Sequence, residues 1–144
     1  DRPNPVAQRQ LLREAMRKEE FESTLYHECK HIKDQAWLLG SNEAETRANL
    51  AELVRSPFAL MDIYGRARPG ADRSEPHTAS AARIMSGFME SPDVHDRQSL
   101  FWLGAEEISS RARVLYERWF GPYEAPDEEC LRSLSWEAVK QSED

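Results

Sequence analysis

Two histidines four residues apart bracket an acidic residue in the stretch His27-Glu28-Cys29-Lys30-His31. On an α-helix, positions i and i+4 share a face, so both imidazoles can reach one Zn2+ ion from a single turn. Glu28 would then project near the coordination position left open. A carboxylate there can take a proton from zinc-bound water and later hand it to a leaving amine. The ion needs at least one more protein ligand. After a turn at Gly40 comes Asn42-Glu43-Ala44-Glu45-Thr46-Arg47-Ala48-Asn49, in which Glu45 can serve. Asn49, one turn on, is placed to hold an imidazole by its second nitrogen. Antiparallel geometry about that turn sets residues 49 to 52 level with the histidines, so Glu52 and Glu43 remain rivals for the third position.

The pattern His27-Glu28-x-x-His31 followed by Glu45-x-x-Ala48-Asn49 resembles the gluzincin zinc metallopeptidases, in particular those of ImmA/IrrE type. The resemblance implies His27, His31 and Glu45 as zinc ligands and Glu28 as general base. It also implies hydrolysis of a peptide bond in a protein or peptide substrate. It covers His27 to Asn49 only.

Several plainer readings stand beside it. At 100° per residue, His27 and His31 point away from the apolar stripe of Phe21, Leu25, Ile32 and Ala36 and share a face with Glu20, Thr24, Asp34 and Leu38. That face is polar, so a wet helix surface with two ordinary histidines competes with a metal centre. Glu28-x-x-His31 is also half of a ferritin-like di-iron signature, but neither His77 nor His95 has a Glu three residues before it. Both of those histidines fall in or beside loops and are expected in solvent. Cys29 lies on the apolar stripe and is expected to be a small buried hydrophobe. Arg9, Arg13 and Arg17 line one side of the first helix as a solvated face or a dock for an acidic partner. The aromatic residues near 101 to 120 have helical spacing and suit a core. Trp102 and Phe120 fall outside its stripe and are candidates for a partner-binding surface. The alternative function is therefore a non-enzymatic helical protein–protein interaction module in which HExxH is incidental.

The elements that must position these residues are helices. Six glycines, few β-branched residues and apolar spacings of three and four predict a mainly α orthogonal bundle of five to seven helices, one domain over 1–144, with little or no sheet. Helices are expected at about 5–19 (led in by Pro3 and Pro5), 21–38, 41–55, 57–64, 78–89, 98–120 and 126–141. The last carries Leu131, Leu134, Trp136 and Val139. Residues 65–78, rich in Pro, Gly and charge, are expected as an exposed loop.

The 26 acidic against 19 basic residues, net charge -7, argue against nucleic-acid binding by phosphate neutralisation. No apolar run approaches the ~20 residues of a membrane span, and no charged start followed by an apolar stretch marks a signal peptide. The compartment is left open, with the cytoplasm slightly favoured. Cys29 and Cys130, far apart in the chain, suggest neither a metal knuckle nor a disulfide framework. Oligomeric state is left open.

Overall fold

The computed structural model describes residues 4–143, without the side chains at 139, 140, 142 and 143. The expected lead-in at Pro3 and the side chain of Val139 on the last helix lie outside those limits. The elements are α1 (Pro5–Lys33), α2 (Ser41–Arg55), α3 (Leu60–Arg66), α4 (Pro76–Met89), α5 (Ala105–Phe120), α6 (Glu128–Ser133) and α7 (Trp136–Glu143). Short 3-10 turns at Ala36–Leu38, Pro57–Ala59 and Gln98–Trp102 join them. The described residues contain no strand, so the mainly α bundle read from the sequence holds.

The apolar core gathers around the second half of α2. Leu50 and Leu53 are fully buried there, against Leu60 and Ile63 of α3, Ile84 and Phe88 of α4, and Leu115 and Tyr116 of α5. Fully burying one such side chain contributes roughly 1.5–3 kcal/mol. Small residues bring the helices close: Ala48 and Ala51 of α2 are fully buried. At Gly87 of α4 an added Cβ would come within 2.9 Å of the Leu115 side chain on α5.

The helix α1 joins the bundle differently. It runs unbroken from Pro5 to Lys33, where the sequence suggested two helices. No Gly or Pro interrupts residues 19–21, and Lys18 and Glu22, 3.9 Å apart, span the expected break. Asn4 caps its start by accepting from the Val6 amide at 3.0 Å. It ends at Asp34, ahead of Gly40, because Gln35 adopts a left-handed backbone at φ 51°. Among the described residues, none of α1 belongs to the main apolar cluster. Its polar face packs on α2 through side-chain pairs. Arg55 reaches Glu19 at 3.1 Å and Glu22 at 2.9 Å, and Ser23 donates to Glu52 at 2.7 Å.

The apolar stripe of α1 is covered by the C-terminal segment. Phe21 meets Trp136 edge-on at 5.4 Å, Tyr26 bonds Tyr123 at 3.0 Å, and Cys29 forms a disulfide with Cys130. This corrects two expectations. The cysteines pair despite a separation of 101 residues, and the histidine face lies in an interface while Ile32, on the expected core stripe, is 55% exposed. Lys30 is the other surprise. It is fully buried, bonding Asp34 at 2.9 Å and the Glu124 carbonyl at 2.6 Å beneath the Tyr116 ring. Its charge is partnered within the helix interface.

Smaller boundary differences follow from local chemistry. The exposed loop contracts to 67–75, because Pro76 opens α4 two residues before Thr78. Gly104 splits the expected 98–120 helix, and the expected 126–141 helix breaks around Leu134. Gly121, with φ 91°, ends α5 in a conformation open to glycine.

Candidate metal centre

Four side chains from three helices meet where α1 crosses α2. Glu45, on the second turn of α2, carries the carboxylate at the centre. His31 Nε2 lies 3.0 Å from its Oε1, and His27 Nε2 lies 3.2 Å from its Oε2. The third imidazole is that of His77: its Nδ1 is 3.0 Å from Glu45 Oε2. The rings of His27 and His31 are edge-on, with centroids 4.8 Å apart, as one helical turn requires.

The helices supply the aim. His27 is fixed from behind, because its Nδ1 donates to Glu52 Oε1 at 2.7 Å, and Glu52 also accepts from Ser23. That bond leaves Nε2 as the nitrogen turned toward Glu45. The backbone of His77 is fixed by its own helix cap: Glu75 accepts from the amides of His77 and Thr78, each at 3.0 Å. The buried Nδ1 of His31 has no hydrogen-bond partner among the described residues.

The electrostatics follow from this crowding. Burial alone would lower the pKa of His27, but hydrogen bonds to Glu45 and Glu52 outweigh it and raise the pKa to about 9. Burial would raise the pKa of Glu45, yet the bonds from His27 and His31 hold its carboxyl far below the usual range. In the metal-free protein, positive charge on His27 therefore sits between two carboxylates.

Glu28 is exposed and faces the neighbouring cleft. Its carboxylate and ring nitrogens of His27 and His31 lie within 4.8 Å of one another, a grouping able to hold a metal ion. That cleft, about 190 Å³, is walled by Glu28, His27, Asn49, Glu52, Asp62 and His77. A second and more open cleft of about 590 Å³ is bounded by His31, Trp37, Glu45, Glu75 and His77. His27 lines the first hollow, His31 and Glu45 line the second, and His77 borders both.

The remaining sequence candidates fall as follows. Of the three rival carboxylates, Glu45 is the one among the imidazoles. Glu52 lies behind His27, and Glu43 pairs with Arg47 at 2.9 Å on its own helix. Asn49 does not hold a histidine; its Nδ2 donates to Ser80 on α4 at 2.9 Å, and Glu52 occupies the backing position instead. Trp102 is 88% exposed. Phe120 is half-buried, edge-on to Tyr116 and beneath the guanidinium of Arg47. Glu107 and Glu117 pair with Arg111 and Arg113 on the surface of α5.

His77 is the site residue that sequence reasoning missed. The available signal was Pro76, a residue favoured at the first position of a helix, which moves the start of α4 back and takes His77 out of the loop.

No protein-family model, curated protein or solved structure matches this chain. Its chemistry must be read from its own geometry.

Proposed function

We propose that this protein binds one Zn2+ ion through His27, His31 and Glu45 and hydrolyses peptide bonds at it, with Glu28 as general base. The observation carrying this reading is the convergence of imidazole nitrogens on one carboxylate, with Glu28 beside them on a cleft wall. Ligands about 2.0–2.1 Å from a tetrahedral zinc stand roughly 3.3 Å from each other. The separations of 3.0 Å from His31 Nε2 to Glu45 Oε1 and 3.2 Å from His27 Nε2 to Glu45 Oε2 are of that order, each to a different carboxylate oxygen. The charge also suits a cation: Glu45 and Glu52 flank His27, where the metal-free protein holds a proton. An ion in place of that proton would leave His27 Nδ1–H on Glu52, a carboxylate–histidine–metal relay of familiar form.

The chemistry would run as follows. Held by His27, His31 and Glu45, an ion would supply Lewis acidity toward a bound water and the scissile carbonyl. Glu28 takes the water's proton as it attacks and passes it to the departing amine. The two hollows give a peptide room beside the site, and the exposed indole of Trp37 offers a flat apolar contact in the larger one. The Cys29–Cys130 bond favours an oxidising compartment over the cytoplasm.

The test is Glu28→Gln in zinc-loaded protein, assayed on a quenched-fluorescence peptide library. The substitution should leave the zinc in place and abolish cleavage. Cleavage by the variant at the wild-type rate would refute the assignment of the base. A second reading, a docking module without catalysis, draws support from the 88% exposure of Trp102. It predicts protein that carries no metal as purified and a folding stability that chelator leaves unchanged.

A further inference from the structure

We propose that α1 recognises a second copy of this chain: the two first helices pair antiparallel, the basic half of each against the acidic half of the other. One observation is the exposure of the helix. Residues 4–17 are all exposed, a length of about 20 Å. A free helix that short is marginal in water, and this one carries Val6, Leu11, Leu12 and Met16 at 57–68% exposure. Both facts call for a covering surface.

The second observation is the order of the charges. Arg9, Arg13 and Arg17 follow one another at a spacing of one turn, where like charges oppose the helix. Three residues on, Glu20, Thr24 and Glu28 continue the row at the same spacing, again all exposed. Positions three and four apart share a helix face. Among the described residues, none of these five charged groups has an ion-pair or hydrogen-bond partner. Charges on other faces of α1 are used: Lys18 pairs with Glu137, and Glu19 and Glu22 pair with Arg55.

That order selects the occupant. An acidic peptide would answer the arginines alone. An anionic lipid surface would meet the glutamates and a net charge of -7. A second copy answers both halves at once, because a two-fold axis presents the same patch twice. With the axis between positions 18 and 19, Arg17 comes level with Glu20 of the partner subunit, each about 2 Å along the helix from the axis. Arg9 comes level with Glu28 of the partner subunit, each about 14 Å from it. Val6 and Ile32, 60% and 55% exposed, come level to within about one residue rise of 1.5 Å and add an apolar contact at each end. Because Glu28 is held in this pairing, the dimer withholds it from the chemistry proposed above; only that consequence rests on the zinc reading.

The experiment is sedimentation velocity of the full chain in chelator, as a concentration series at low and high salt. Wild type should form a dimer that salt weakens. Arg9→Glu/Arg17→Glu and Glu20→Arg/Glu28→Arg each set like charges opposite one another, and each should dimerise about 10-fold to 100-fold more weakly. Mixed in equal amounts, the two variants restore opposite charges at every contact and should form a heterodimer as tight as the wild-type dimer. The variant carrying all four substitutions should dimerise like wild type, and circular dichroism should show wild-type helix content in each. Wild type that stays monomeric throughout would overturn the proposal, as would a dimer that neither double variant weakens. Folded double variants whose mixture stays monomeric would also overturn it. A monomeric wild type that binds polyglutamate or phosphatidylserine vesicles would overturn it too, and would assign the arginines to that class of partner.

Discussion

Glu52 offers a sharp test of how the centre is organised, because it touches the proposed ion only through His27. Its Oε1 accepts from His27 Nδ1 at 2.7 Å and its Oε2 accepts from Ser23 at 2.7 Å. If Nε2 of His27 binds the ion, Glu52 sets the tautomer and strengthens the donor. Glu52→Gln keeps the shape and one acceptor oxygen but removes the charge. Hydrogen bonds to charged groups contribute about 1.5–3 kcal/mol and neutral ones about 0.5–1.5 kcal/mol, so the difference is about 1–1.5 kcal/mol, or roughly tenfold in zinc affinity. Glu52→Ala removes the acceptor altogether and should cost up to about 100-fold, or about 2.7 kcal/mol. The assay is competition for Zn2+ against a chromophoric chelator, with one ion per chain as the endpoint. Gln should fall between wild type and Ala. Wild-type affinity in both variants would mean that His27 does not ligate through Nε2, and the reasoning would fail.

Further outcomes follow from the packing around the site. In chelator-treated protein, the folded pKa of His27 is raised to about 9 from an ordinary 6.5. Its contribution is therefore fully present below about pH 6.5 and lost as pH rises through 9; urea unfolding should show that decline, and His27→Asn should flatten it. Reducing Cys29–Cys130, or replacing both residues by Ser, releases a cross-link across 101 residues and should cost about 2–5 kcal/mol in denaturant titrations. An unchanged midpoint would count against the bond. Lys30→Met leaves the buried carboxylate of Asp34 with only the Arg47 guanidinium, 4.0 Å away, and should cost up to about 3–5 kcal/mol, with Lys30→Met/Asp34→Leu recovering most of it; additive losses in that pair would contradict the partnership.

Much of the scaffold was legible because it depends on local signals. The boundaries of α2 follow from Gly40 before it and Ser56-Pro57 after it, and the structure places them at Ser41 and Arg55. The spacing of His27 and His31 and the turn leading to Glu45 are likewise local. What was hidden depends on distant partners. A helical wheel separates the faces of α1 but cannot say that Glu45 and Glu52 cover one and residues 123–136 the other. The cysteine pair and the burial of Lys30 both depend on that C-terminal segment returning to α1, with Glu124 and Cys130 supplying the contacts. His77 was misjudged for a related reason. Its own surroundings are an exposed loop and a helix start, and its significance arises only when α4 packs on α2.

The most direct measurement of the central claim is the zinc content of tag-free protein, stripped with chelator, refilled and desalted. The account predicts one Zn2+ per chain, and a loss of that ion in both His31→Ala and Glu45→Ala. Protein that retains no zinc after refilling, or variants that hold as much as wild type, would contradict it.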